Sequence, residues 1–191
     1  MRTRLPGIIL LCSLPFSANL SADTDLEQRL RDSREAVESF ARALKGNLMN
    51  VMREKGPAQA VEACSSIAPL IALTKSKSYS WKISRTSLRL RDPDNAPDDW
   101  ERAVLEQFEA RKAKGEDVND LEYYDVVEME GQKMFRYMKA IPTLEKPCLT
   151  CHGSNLAPDV AAALDRHYPH DRARGFKPGD IRGAFTIIQP M

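Results

Sequence analysis

Apolar residues recur at intervals of three and four from residue 25 to 55, where Leu26, Leu30, Val37, Phe40, Ala41, Leu44, Leu48 and Met52 alternate with charged side chains. That spacing predicts a long amphipathic helix. Gly56 and Pro57 interrupt it and open a second one, because proline suits a first helical turn. Along the second segment Val61, Cys64, Ala68 and Ile71 share a stripe, which turns Cys64 inward, and Pro69 is expected to limit how regularly the helix continues. The period then changes to two. "SWKISRTS" alternates with Trp81 and Ile83 on one side, "LEYYDVVEMEGQKMFRYMKAI" reads as two strands about a turn at Glu130 and Gly131, and "IRGAFTII" reads as another strand. Proline-rich "RLRDPDNAPDDW" leads into a helix over about residues 98–114 with Trp100, Val104, Leu105 and Phe108 on its apolar face. Its acids read as turn and helix-cap chemistry, since prolines separate them. A short helix is predicted near residues 158–165. Helices first and antiparallel strands later predict an α+β domain in which long N-terminal helices cover one face of a small sheet.

With 191 residues, 42% of them apolar and 29% charged, the chain is long enough for one core and short for two. Its first 22 residues place Arg2 and Arg4 before an apolar run and then small residues, the layout of a cleavable signal peptide, with cleavage expected after Ala22. The expected organisation is therefore a signal peptide at 1–22 and a single domain at 23–191, exported to the periplasm or an equivalent compartment. Losing that segment takes the formal charge from +1 to about −1, which gives no attraction to nucleic acid or anionic lipid. No second apolar run of spanning length follows, so no membrane span is expected in the mature chain. Paired carboxylates, a nucleophile constellation and a phosphate-binding loop are not apparent.

Export sharpens the cysteine count. Cys12 falls in the leader, leaving Cys64, Cys148 and Cys151, an odd number for an oxidising compartment. "KPCLTCHG" supplies Cys148, Cys151 and His152 in the C-x-x-C-H order of covalent c-type haem attachment. Two thiols three residues apart reach the two vinyl groups of one porphyrin, and the next imidazole becomes the proximal iron ligand. Gly153 lets the backbone leave this crowded corner, and the motif, following two prolines in "AIPTLEKP", reads as a loop. Two other readings stay open: a structural zinc site adding Cys64 and His167 or His170, and a redox dithiol. The first would leave His152 unused, and the second lacks the strand and helix setting of such motifs. Arg85, Arg89 and Arg182 are candidate contacts for haem propionates, because a guanidinium grips a carboxylate through two parallel hydrogen bonds.

Together "EACSSIAPLIA", "WKISRTSLRLRDPDNAPDDWE", "KPCLTCHG" and "YPHDRARGFKPGDIRGAFTI" resemble the exported haem c proteins with a PAS-like fold, found alone or as sensor domains of signalling proteins. The resemblance covers nearly all of the mature chain. It implies one covalently attached haem c whose iron is held by His152 and by Cys64. Read from the residues alone, Cys64 is a free thiol on an inward helical stripe, open to either packing or ligation. Met129, Met134, Met138, His167 and His170 compete with it for the sixth position. A thiolate ligand lowers the potential of the iron, whereas methionine raises it. The expected function is a redox or gas-responsive haem sensor, taking carbon monoxide or nitric oxide at reduced iron and acting through a separate signalling partner. The alternative is a soluble electron-transfer cytochrome with a redox partner, and an enzyme is the weaker expectation.

Overall fold

The computed structural model describes residues 18–191, with side-chain surroundings from residue 23 onward. Helix α1 (Ala18–Lys55) and helix α2 (Pro57–Tyr79) fold against each other about Gly56. Gly56 has φ +85, a left-handed conformation that glycine adopts without a Cβ penalty and that lets a single residue reverse the chain. Helix α2 carries Pro69 in its interior and continues past it to Tyr79, packed against α1 and α5. Most of the predicted leader lies outside the described residues, and residues 18–22 continue α1 on its N-terminal side.

Strand β1 (Lys82–Thr86) leads through a 3₁₀ turn at Pro93–Asn95 to helix α3 (Asp99–Ala113). Asp98 caps α3, accepting from the Glu101 amide at 2.8 Å while the Glu101 carboxylate accepts from the Asp98 amide at 3.0 Å. This reciprocal pair satisfies two amide groups that a helix start leaves orphaned. Strands β2 (Glu122–Met129) and β3 (Gln132–Pro142) form the expected hairpin, with Glu130 at φ +52 and Gly131 at φ +77. Two left-handed residues at the turn match the right-handed twist of the flanking strands. Helices α4 (Leu149–His152) and α5 (Pro158–His167) follow, and strand β4 (Ile181–Pro190) completes an antiparallel sheet of order β1-β4-β3-β2.

The sheet has helices on both faces, not on one. Ile83, Phe135, Tyr137, Phe185 and Ile187 face Ala36, Val37 and Phe40 of α1, whereas Met138, Ala140 and Ala184 face Val104, Leu105 and Phe108 of α3. Four consecutive β3 residues, Phe135 to Met138, are therefore buried, and Arg136 among them needs partners. It lies 4.3 Å over the Trp100 ring and pairs with Asp98 at 2.7 Å and Glu101 at 3.3 Å. Among the described residues no helix is long and apolar enough to cross a membrane.

Candidate functional site

The cysteine motif forms a short helix rather than a loop. Its first turn closes when the His152 amide donates to the Cys148 carbonyl at 2.9 Å, and the Gly153 amide to that of Leu149 at 3.1 Å. Residues three apart on a helix lie on one side, so Cys148 and Cys151 share a face of this turn. Gly153 has φ −74, open to any residue, but an added Cβ would stand 2.7 Å from the Leu149 carbonyl oxygen. Glycine is required there by close approach, not by an unusual conformation.

A returning segment, 171–176, encloses this turn from outside. The Gly175 and Phe176 amides donate to the Gly153 and His152 carbonyls at 3.0 and 2.9 Å, and the Phe176 ring meets the imidazole edge-on at 6.0 Å. His152 Nδ1 lies 2.8 Å from the Ala173 carbonyl, and Arg182 Nε lies against the ring, 3.1 Å from Nδ1 and 3.3 Å from Nε2. One tautomer satisfies the Ala173 carbonyl and the Arg182 contact at Nε2, with the proton on Nδ1 and a lone pair on Nε2. Burial, reinforced by Arg182 and Arg91, holds the imidazole well below its usual pKa. The neutral form is favoured, and its Nε2 lone pair faces Arg182 at 3.3 Å and Arg91 at 3.5 Å.

Cys64 lies on α2, where it lines a small apolar pocket with Leu44, Leu48 and Val51 of α1. Helix α2 touches α4, and the buried α5 residues Val160, Ala163 and Leu164 pack between Val61 and the half-buried Cys151. Burial pushes the Cys64 thiol up, opposed by the positive charges of Arg85 and Arg91. Burial likewise raises Cys151, again opposed by Arg91 and reinforced by Cys64 and Cys148. Thus Arg91 acts on Cys64 and also approaches His152 Nε2, at 3.5 Å. Among the described residues, Cys64, Cys148 and Cys151 are all free thiols.

The surroundings are cationic. Burial brings Arg182 down to about 9, and the neighbouring charges of Arg91, Arg85 and Arg89 push the same way, with Asp171 opposing. Burial also lowers Arg85, against the opposing pull of Cys64, Tyr168 and Asp92. Neither Arg85 nor Arg182 forms an ion pair with a described residue; Arg182 donates to Ser87 Oγ and the Arg89 carbonyl, and Arg85 lies 6.0 Å over the Phe40 ring. Arg85 shares the sheet face of Ile83 and Phe185, toward α1 and α2. Arg89 stacks 4.0 Å over Phe176 and donates to the Arg174 carbonyl, at the rim of the group. Arg91, Asp171 and Ala173 belong to the site although the sequence did not single them out.

Of the rival ligands, His167 is half-buried at the C-terminal end of α5, a helix that packs on α2. Met138 is in the core under α3, Met129 and Met134 belong to the hairpin, and His170 is exposed. Among the described residues no group of three or more His, Cys, Asp or Glu is arranged to hold a bare metal ion. The short turn presents an imidazole and two thiols, with a third thiol, Cys64, on the neighbouring helix α2 and several guanidiniums close by. That donor set fits a haem: two thiols for its vinyl groups, a nitrogen and a sulfur for iron, and cations for its propionates.

The fold is an α+β domain whose four-stranded antiparallel sheet carries long N-terminal helices, an arrangement consistent with a PAS-like domain. The chain belongs to the Tll0287-like family, which it matches over residues 20–190. Its fold is similar to that of the crystal structure of a cyanobacterial haem protein, Tll0287, with a TM-score of 0.65 and 22% identity over 86% of this chain and 96% of that one. No curated protein matches the chain.

Proposed function

We propose that the protein is an exported, single-haem c-type protein, with Cys148 and Cys151 as the thioether residues and His152 and Cys64 as axial ligands, that senses redox state or a small gas. The observation that carries this reading is the common setting of Cys64 and His152. They come from distant parts of the chain, yet the helices that carry them, α2 and α4, are in contact. Support comes also from the family and from the fold shared with a protein described as a haem protein.

Bound at this site, haem would supply a one-electron redox centre and, where a ligand leaves, a place for carbon monoxide or nitric oxide. The chain's residues prepare that chemistry. The Ala173 carbonyl holds the His152 ring through Nδ1, and Arg182, now against both ring nitrogens, would have to leave Nε2 for iron to bind there and could then meet a propionate. Arg85 is poised for the same role, while Arg89 at the rim has a weaker claim. Cys64 as a thiolate favours the ferric state and a low potential. Burial raises the Cys64 pKa, against Arg85 and Arg91, which would favour the neutral thiol wherever the sulfur did not hold iron. A reduction that weakened the iron–thiolate bond would then open a coordination site.

Covalent haem stain after expression with a c-type maturation system tests the attachment. The native chain should stain and the Cys148→Ser, Cys151→Ser double variant should not; stain persisting in the double variant would remove the c-type assignment. Reversible electron transfer without any change of coordination would instead favour the electron carrier.

A further inference from the structure

We infer that Asp171 and Arg91 form a positioning relay that sets the donor strength of His152, and through it the potential of the site. This rests on the haem reading above and adds residues to it that neither the motif nor the family match assigns.

The side chain of Asp171 is only 1% exposed, yet it accepts four hydrogen bonds. Arg91 meets it through two nitrogens, Nε at 3.2 Å and Nη2 at 3.3 Å, Arg174 Nε donates at 2.8 Å, and the Ala173 amide donates at 2.8 Å. The last bond is local and shapes the turn, while the first two hold the guanidinium in place. Arg91 Nη2 then reaches the Cys151 carbonyl, and the Ala173 carbonyl at 3.1 Å. That Ala173 oxygen is the acceptor of His152 Nδ1. One carboxylate thus places both the acceptor of the imidazole proton and the cation that competes for that acceptor.

The two partners act on the iron ligand with opposite signs. A carbonyl that draws on the Nδ1 proton makes Nε2 a stronger donor, which favours ferric iron. Asp171 adds a negative charge on the proximal side, favouring ferric iron again. Arg91 does the reverse, since it shares the Ala173 oxygen and adds a positive charge. Loss of Asp171 should therefore raise the potential, and loss of Arg91 should lower it. A purely structural role predicts no such opposition, because opening the site to water by either route would move both variants the same way.

The test is a spectroelectrochemical titration of the full holoprotein and its Asp171→Asn, Arg91→Gln and Arg91→Lys variants, each first checked for covalent haem. Asp171→Asn should shift the ferric to ferrous ratio toward ferrous by about tenfold at fixed poise, which is about 59 mV for one electron. Arg91→Gln should shift it the other way, and Arg91→Lys should restore much of the native value. If Asp171→Asn does not accumulate folded, the Gln and Lys pair at position 91 decides the sign. Shifts of the same sign, or none, in stained protein overturn the relay and leave the haem reading standing. A native chain that carries no haem overturns both.

Discussion

Replacing Gly153 by alanine and Gly46 by alanine makes the same chemical change with opposite expected outcomes. Gly46 lies in the exposed interior of α1 with nothing within 4 Å of an added Cβ. There alanine removes backbone freedom from the unfolded chain and should stabilise by about 0.5–1 kcal/mol. At Gly153 the added carbon would meet the Leu149 carbonyl oxygen at 2.7 Å and Leu149 Cβ at 3.3 Å. The oxygen belongs to backbone already engaged by the Gly153 amide, so relief requires α4 to move. Forcing an extra methyl into such a corner costs about 1–3 kcal/mol. Since a change of 1 kcal/mol moves the midpoint of a domain this size by about 2–4 °C, the two variants should melt on opposite sides of the native protein. Urea unfolding followed by circular dichroism, with thermal melts of the same samples, measures both. A Gly153→Ala protein as stable as Gly46→Ala would refute the close approach on which the geometry of His152 depends.

Two further outcomes follow from the second face of the sheet. Arg136→Met should cost about 3–5 kcal/mol in urea unfolding, because it leaves Glu101 buried without its cation; a loss below about 1 kcal/mol would show that the pair contributes little. For Asp98, burial pushes the carboxyl up, but hydrogen bonds from Arg136 and the Glu101 amide outweigh it and leave the group below its usual range. A depressed carboxyl contributes stability above its unfolded pKa of about 3.9 and loses it as pH falls through the folded value. Asp98→Asn, which keeps a competent cap, should flatten the acid-side fall of the thermal midpoint below about pH 4. An unchanged slope would contradict the assignment.

How far the sequence spoke depended on how local the physics was. The long helices, the Glu130–Gly131 turn and the cap chemistry of "PDD" were legible because each rests on neighbours in sequence. The second helical layer was not. Met138 and Phe135 are both buried, so β3 shows no clean alternation, and only contact with α3 explains why. The cysteine motif was legible as chemistry but not as a helical turn, since the prolines before it suggested irregular chain. Cys64 could be placed on a helical stripe, but its meeting with Arg91 joins segments that sequence spacing cannot relate. Asp171 and Ala173 were hidden for the same reason: a buried aspartate in "HDRARG" looks like solvated charge until Arg91 arrives from 80 residues earlier.

Everything functional turns on whether Cys64 and His152 bind one iron. Absorption and electron paramagnetic resonance spectra of the ferric holoprotein, with and without Cys64→Ala, address this directly. The native protein should be low-spin with the signature of a thiolate opposite an imidazole, and the variant should keep its covalent haem while losing that signature. A variant whose low-spin spectrum is unchanged would contradict ligation by Cys64 and take the ligand switch with it.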